Sequence, residues 1–353
     1  MDVESPRFVD ELRKSTVFAD SHFVVVGSGS AGRRHALALR ALFPNAPITV
    51  VKRTSSTQPL EVLHSSNISV VHSLDEACVV EPSFAVIASP ATLHRADLEH
   101  LSRHCSRFLL EKPIAADSSD GRAILSLANQ ADLQVSVGHH LRFSDTPQAF
   151  FGEISHHSKS ELKGIRLSYG QHLRHWRPGV PSEDSVTARR DLGGGVIREL
   201  SHEIDAAWLL GGRLEHVREA TVLRTGAPTD GLVDTVADFT VASEHVDVVI
   251  HLDMTADAPF RLWEADFVDV VIRADLLAGK VWGIQPDGQV QLLHKSSPAE
   301  RDRAGIALMR AALGMTTEGS PVPCDVPHGL RIINTIEAVE QSAARGEPVA
   351  IRE

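Results

Sequence analysis

Gly27-Ser28-Gly29-Ser30-Ala31-Gly32 follows a β-branched run, Phe23-Val24-Val25-Val26, and opens an amphipathic stretch from Ala31 to Phe43. Three glycines at this spacing suit a phosphate-binding turn. The first admits the tight turn, the second lets backbone approach a pyrophosphate, and the third lets helix and strand pack closely. Ser28, Ser30 and Ala31 fill the intervening positions, and the free N–H groups at the helix start face the phosphates. The next β-branched run, Ile48-Thr49-Val50-Val51, ends in Lys52-Arg53-Thr54-Ser55-Ser56, with no carboxylate before Glu61. An NAD site ordinarily places an acidic residue at that point to hold the ribose hydroxyls. Arg53 can instead pair bidentately with a 2′-phosphate, with Lys52 adding charge and Thr54 a hydrogen bond. NADP is therefore the expected cofactor, and NAD the alternative if Arg53 is only solvated or stacks on the adenine.

A second group of reactive side chains follows Gly193-Gly194-Gly195. The helical stretch from Val196 to Leu210 carries Glu199, His202 and Asp205, and a three-residue step puts Glu199 and His202 on one helix face. Asp205, one turn on, is placed to orient His202 or to serve packing. Residues Leu173 to Arg190, rich in Pro, Arg and His, read as a long irregular loop, of the kind that is functional or disordered. Around its start, His172, Trp176 and Arg177 offer an aromatic platform and donors suited to a sugar or a carboxylate, although Trp176 serves equally as a buried anchor. Arg142, in Gly138-His139-His140-Leu141-Arg142-Phe143, sits where it either contacts substrate or pins a hinge. No metal site is expected. His139 and His140, read as strand residues, point to opposite faces. Cys78, Cys105 and Cys324 form no metal spacing and no disulfide framework, and neither HExxH nor CxxC accompanies His202 and Asp205.

The elements that must carry these groups show two textures. Up to about residue 135, buried strand-like runs alternate with helical stretches: Ile68 to Val71, Phe84 to Ile87, Phe108 to Leu110 and Gln134 to Val137, with Ala91 to His104 and Ser118 to Ala131 between them. That alternation implies βαβ units and a parallel sheet. Beyond it, Leu162 to Tyr169, Gly231 to Val241, His245 to Leu252 and Phe260 to Ile272 alternate polar and apolar residues, as one-face-buried antiparallel strands do. Helical pattern returns at Ala299 to Leu313 and His328 to Ala344. The fold class is thus α/β: an N-terminal Rossmann doubly wound parallel sheet plus a C-terminal α+β domain with a large open, mostly antiparallel sheet. The expected divisions are an N-terminal extension (1–20), a dinucleotide-binding domain (21–138) and a substrate-binding and oligomerisation domain (139–353). With 353 residues, 46 acidic against 35 basic and a net charge of −11, the surface repels phosphate backbones and anionic lipid. Neither nucleic acid nor membrane is an expected partner, and sparse, scattered cysteines suggest a reducing cytoplasm.

Taken in order, Gly27 to His35 as GxGxxGxxH, Ser89-Pro90-Ala91-Thr92-Leu93-His94 after the fourth strand, Glu111-Lys112-Pro113 after the fifth, and the glycine triplet before Glu199, His202 and Asp205 form a set. That set resembles the Gfo/Idh/MocA oxidoreductases, the glucose–fructose oxidoreductase and inositol dehydrogenase family, over roughly residues 22 to 345. The resemblance implies transfer of hydride between nicotinamide and a ring carbon of a sugar, amino sugar, nucleotide sugar or cyclitol. It implies that Ser89, Pro90, His94 and Glu111 border the cofactor and that Lys112 lies between cofactor and substrate hydroxyl. A lysine partly desolvated beside a cationic nicotinamide is driven toward its neutral amine, which can accept a proton. His202 is then expected to bind the reacting hydroxyl and share its proton with Lys112, Glu199 to accept from a substrate hydroxyl, and the open sheet to build a homodimer or homotetramer. The family's common form is Asp-x-x-x-His, whereas this chain has Glu199 with His202 three residues on. The variant, together with Trp176-Arg177-Pro178, looks like a subgroup met in bacterial amino-sugar and nonulosonic-acid pathways. Two other readings of the frame are a catalytically silent cofactor-binding sensor or partner subunit, and a reductase of an imine or tetrapyrrole.

Overall fold

The computed structural model describes residues 21–53, 61–176, 186–224, 233–297 and 300–352. Its strands are β1 (Phe23–Val26), β2 (Ile48–Val51), β3 (Ser69–Val71), β4 (Phe84–Ile87), β5 (Arg107–Leu110), β6 (Gln134–Val137), β7 (Leu162–Gly170), β8 (Leu214–Leu223), β9 (Val236–Ser243), β10 (Asp247–Asp253), β11 (Phe260–Phe267), β12 (Val271–Asp275), β13 (Lys280–Ile284), β14 (Val290–Lys295), β15 (Cys324–Asp325) and β16 (Val349–Ala350). The helices are α1 (Ser30–Leu42), α2 (Glu61–Ser65), α3 (Leu74–Ala77), α4 (His94–Leu101), α5 (Ser118–Gln130), α6 (Asp145–Ser155), α7 (Val196–Glu199), α8 (Ser201–Gly211), α9 (Glu300–Ala312) and α10 (Val326–Arg345). No helix among the described residues is long and apolar enough to cross a membrane.

Two sheets organise the chain. The first runs β15-β6-β5-β4-β1-β2-β3, and all its pairs are parallel except β15 with β6. Its central strands, β1 and β4, are wholly apolar and fully buried, as strands covered on both faces must be. The order reverses beside β1, and ligands of open α/β sheets bind at such a switch point. The second sheet runs β14-β13-β12-β11-β7-β10-β9-β8-β16 and is antiparallel except for β7 with β10. Along β10 the alternation places Val248, Ile250 and Leu252 in the core while Val249 stays exposed on the opposite face.

Both sheets follow the sequence expectation, with local differences. The stretch from Phe260 to Ile272 is a hairpin, β11 and β12, turned where the Phe267 N–H donates to the Val270 carbonyl. The helix expected from Val196 to Leu210 is broken at Leu200 (φ −99°, ψ 27°) into α7 and α8. The chain also returns to the first domain after residue 300, which a boundary at 138/139 did not include. From α9, Leu308 and Met309 join Phe23, Val25, Phe84 and Leu109 in one core. β15 then adds a seventh strand to the first sheet. Asp325 caps α10 by accepting the His328 N–H at 2.8 Å, and α10 carries Val326 and Leu330 into the first domain and Ile332, Ile336 and Val339 into the second. One helix thus serves two cores.

Leu308 is 1 % exposed inside the core of the first domain. Leu308→Ala should therefore cost about 2–5 kcal/mol of stability, read from urea denaturation. A loss below about 1 kcal/mol would place α9 outside that core.

Candidate active site

The glycine turn leaves β1 with Gly27 at φ +105°, where a Cβ would stand 2.5 Å from the Ala88 carbonyl oxygen. A Cβ on Gly32 would lie 1.8 Å from the Gly27 carbonyl oxygen, so α1 can approach the strand this closely only with glycine. At Gly29 nothing lies within 4 Å of where a Cβ would be. α1 begins there without a capping side chain and without an acidic residue in its first turn. Its free N–H groups and positive end are left for an anion, so these residues fit a dinucleotide pyrophosphate.

At the end of β2, Arg53 is already engaged. Its guanidinium forms a two-bond ion pair with Asp97, one nitrogen at 3.1 Å. Asp97 is buried and also accepts Ser89 Oγ at 2.6 Å. The cation expected to meet a 2′-phosphate is thus compensated from within the protein. Lys52 offers its carbonyl to His72 Nδ1 at 3.1 Å, and Thr54 lies outside the described residues. His94, expected beside the cofactor, is buried and holds its ring nitrogens against the carbonyls of Ser89 (2.8 Å) and Ile114 (3.1 Å). It ties the loop after β4 to the loop after β5, and burial pushes its imidazole below the ordinary range.

The β5 loop carries Glu111, Lys112 and Pro113, with a cis Lys112–Pro113 peptide. Burial alone would raise the Glu111 carboxyl. The hydrogen bond from His35 (2.6 Å) and the charges of His35, Arg34 and Lys112 instead hold it well below the carboxylate range. Glu111 also accepts the Lys112 N–H at 3.0 Å, fixing the backbone that presents the lysine. Lys112 Nζ donates to the Glu199 carbonyl at 2.8 Å and lies 3.4 Å from Glu199 Oε2. This contact crosses from one domain to the other. Thr187 Oγ1 donates to the second Glu199 carboxylate oxygen at 2.9 Å.

The glycine triplet makes that reach feasible. Gly195 sits at φ +120°, and a Cβ on it would stand 2.3 Å from Asp234 Oδ1. Asp234 accepts the N–H groups of Val196 (2.9 Å, through its carbonyl) and Ile197 (3.2 Å, through its carboxylate), anchoring α7. Glu199 ends α7, and the break at Leu200 separates it from His202. The two are therefore not on one face of one helix, as their spacing suggested. Glu199 turns to Lys112 and Thr187, while His202 meets the rings of His140 and His139 edge-on, at 4.6 and 5.2 Å. β6 ends at Val137 and a 3-10 turn starts at His140, so the two histidines escape the strand alternation expected of them. His202 is buried, and its Nδ1 has no hydrogen-bond partner among the described residues. Burial, then His140 and His139, push its imidazole far below the usual value. It is neutral at pH 7.

Asp205 does not orient His202. Arg142 grips it with Nε at 2.9 Å and a terminal nitrogen at 2.6 Å, and His328 bonds it at 2.8 Å. Burial would raise this carboxyl, but His139, Arg142 and His328 hold it well below the ordinary range. Of the two roles its position offered, contacting substrate or pinning the hinge, the structure shows Arg142 buried with its guanidinium on Asp205 at the domain seam. Trp176 donates Nε1 to the Gln171 carbonyl at 2.9 Å and stacks beside Tyr169, which makes it an anchor. His172 Nδ1 accepts the Arg174 N–H at 3.3 Å, and Arg177 lies outside the described residues. Sequence reasoning missed Glu203. Fully buried, it accepts from Arg261 at 2.7 and 3.0 Å and lies 3.3 Å from Trp263 Nε1. A carboxylate on the inward face of an apolar helix was its only signal.

Residues 21–139 match the profile described as an oxidoreductase family with an NAD-binding Rossmann fold, Gfo/Idh/MocA. A search of curated proteins found no match. Among solved structures, the chain is similar to UDP-N-acetylglucosamine 3-dehydrogenase GnnA from Acidithiobacillus ferrooxidans (TM-score 0.71, 18 % identity, covering 92 % of this chain and 98 % of that one). It is similar to an oxidoreductase from Agrobacterium radiobacter in complex with NAD+, L-tartaric acid and magnesium (0.77, 18 %, 94 % and 98 %). It is also similar to the WlbA dehydrogenase from Bordetella pertussis in complex with NADH and UDP-GlcNAcA (0.73, 15 %, 95 % and 98 %). Identities this low establish a shared two-domain fold. In that fold the glycine turn, the Ser89 loop and Lys112 lie at one edge of the first sheet, and Glu199 reaches Lys112 from the second domain.

The buried histidines give a signed pH dependence. Burial pushes His139 down to about 4 from an ordinary 6.5, and His202 is lowered too. Protons then bind the unfolded chain better than the folded one. Stability should be full above pH 6.5 and fall as pH drops from 6.5 toward 4, by up to about 1.4 kcal/mol per unit for each such group. Asp205 adds its own loss only below its ordinary 3.8. Thermal melts between pH 7.5 and 4.5 should show this slope, and His139→Gln should flatten it.

Proposed function

We propose that the protein is a nicotinamide-dependent dehydrogenase or reductase acting at a ring carbon of a sugar, amino sugar, nucleotide sugar or cyclitol. The observation that carries this reading is the Lys112–Glu199 contact, which sets the Lys112 amino group between the cofactor edge of the Rossmann sheet and the second domain. When bound, nicotinamide supplies the hydride acceptor or donor. Lys112 takes the proton of the reacting hydroxyl at Nζ as the neutral amine, becoming an ammonium, or returns it from the ammonium in the reverse direction. The Glu199 carboxylate steadies the ammonium and accepts from a neighbouring substrate hydroxyl. Neutral His202, with Nδ1 unpartnered, bonds a further hydroxyl without adding a buried charge. A catalytically silent sensor is disfavoured, because the shifted Glu199/His202 spacing is absorbed by the break at Leu200 and Glu199 still meets Lys112. The sugar class is supported by the substrates named for the GnnA and WlbA dehydrogenases.

The preference for NADP expected from Lys52 and Arg53 loses support from the Arg53–Asp97 pair, and we infer that NAD is accepted at least as well. The exposed face of the second sheet, with Leu223, Val249, Val290 and Leu292, is the surface we assign to a homodimer or homotetramer. Cys78, Cys105 and Cys324 are all free, in keeping with a cytoplasmic protein.

Lys112→Met should lower kcat by about 10²–10⁴-fold on the best substrate of a sugar and nucleotide-sugar panel, with NADH affinity kept within a fewfold by fluorescence titration. Unchanged turnover would remove Lys112 from the chemistry. Asp97→Asn frees Arg53, and should move the NADPH-to-NADH affinity ratio toward NADPH by roughly tenfold, about 1.4 kcal/mol.

A further inference from the structure

Far from the glycine turn, the fold gathers three metal-ligating side chains that lie apart in sequence. Cys78 follows α3, donating its N–H back to Leu74 and Asp75. His100 is in the last turn of α4, and His104 lies in the turn beyond it, with its N–H on the Leu101 carbonyl at 2.9 Å. One donor atom from each of Cys78, His100 and His104 lies within 4.8 Å of the other two, and all three residues are half-buried. His100 Nε2 is shielded from solvent without a hydrogen-bond partner, although Asp75 Oδ1 stands 3.3 Å away in poor alignment. Asp75 itself is largely exposed, hence free to swing.

This donor set is chemically specific. A thiolate and two imidazoles suit a borderline-soft divalent ion, above all zinc, and are poor ligands for magnesium or calcium. Zinc bonds of about 2.0–2.3 Å place neighbouring ligands roughly 3.3–3.6 Å apart in a tetrahedron. The cluster needs only side-chain rotations of order 1 Å to close. Cys105, though close in sequence to His104, is buried and donates Sγ–H to the Arg107 carbonyl at 3.2 Å, so it is not among the donors. A second grouping, Asp205, Cys324 and His328, is a worse candidate because Arg142 occupies its carboxylate with a positive charge.

α4 starts at the carboxyl edge of β4 and ends near the amino end of β5, opposite the cofactor edge. An ion at its far end cannot touch substrate. It would instead clip the α3 unit, which follows the edge strand β3, to α4. We propose that Cys78, His100 and His104, with Asp75 closing the fourth position, form a structural zinc site on the Rossmann domain, independent of the active site. Binding displaces the Cys78 thiol proton to solvent and involves no redox change.

The test uses full-length protein stripped with EDTA and dialysed against Zn2+. Metal analysis should find one ion per chain, and the melting temperature should rise with Zn2+. Co2+ should give a thiolate-to-metal charge-transfer band with tetrahedral d–d absorption. Cys78→Ser and His104→Gln should each weaken Zn2+ binding at least tenfold and remove the cobalt–thiolate band or its tetrahedral signature, while NADH affinity stays at the wild-type value. Cys324→Ser should leave the site intact. Failure of the stripped protein to take up Zn2+, retention of full affinity in Cys78→Ser, or loss of the cobalt–thiolate band only in Cys324→Ser would overturn the assignment. Because NADH binding is read in parallel, a misfolded variant is recognised and the dehydrogenase reading stands or falls separately.

Discussion

The ammonium of Lys112 held against Glu199 is the interaction on which the rest of the structure depends, because its two partners come from different domains. Each half needs its own scaffold. On one side, the Glu111 carboxylate, fixed by His35, holds the Lys112 backbone, while His94 ties the loops around it. On the other, Gly195 lets Asp234 close on the start of α7, and Thr187 steadies the carboxylate. A small shift of either domain would lengthen the 2.8 Å bond between them.

The seam between the domains is held by buried charge. Asp205, Arg142 and His328 form a nearly closed network in which every hydrogen bond involves a charged or ionisable group. Such a network contributes little net stability over apolar packing, but removing one member leaves an uncompensated buried charge that costs several kcal/mol. It therefore resists slippage more than it adds binding energy. Glu203 with Arg261 and Trp263 does the same on the opposite face of α8. The result is a helix whose register is fixed from two sides, with His202 between them. α10, shared by both cores, adds a mechanical coupling that charge alone does not supply.

Much of this was legible in the residues themselves. The glycine turn, the buried β-branched strands and the alternating strands of the second sheet are local patterns with local causes, and the fold follows them. Lys112 and Glu199 stand in motifs far apart in the chain and meet in the structure, while His202 packs against His139 and His140 instead. What escaped was non-local. Nothing near Arg53 announces a buried carboxylate 44 residues later that consumes its charge. His94, Arg142 and Trp176 have the chemistry of ligands yet are spent on carbonyls, a carboxylate and an aromatic neighbour. The break at Leu200 changed which face Glu199 presents, and helical spacing cannot foresee a break. The return of α9 and β15 to the first domain is likewise a matter of which apolar face is left open once the other elements have packed.

The claim that Lys112 and Glu199 act as one unit is tested most directly by a double-mutant cycle on turnover, with Lys112→Met, Glu199→Gln and the pair together. Glu199→Gln should cost at least about tenfold in kcat/KM in the wild-type background but no more than about twofold once Lys112 is gone, since groups that act together lose their effects together. Equal costs in both backgrounds would show two independent side chains and contradict it.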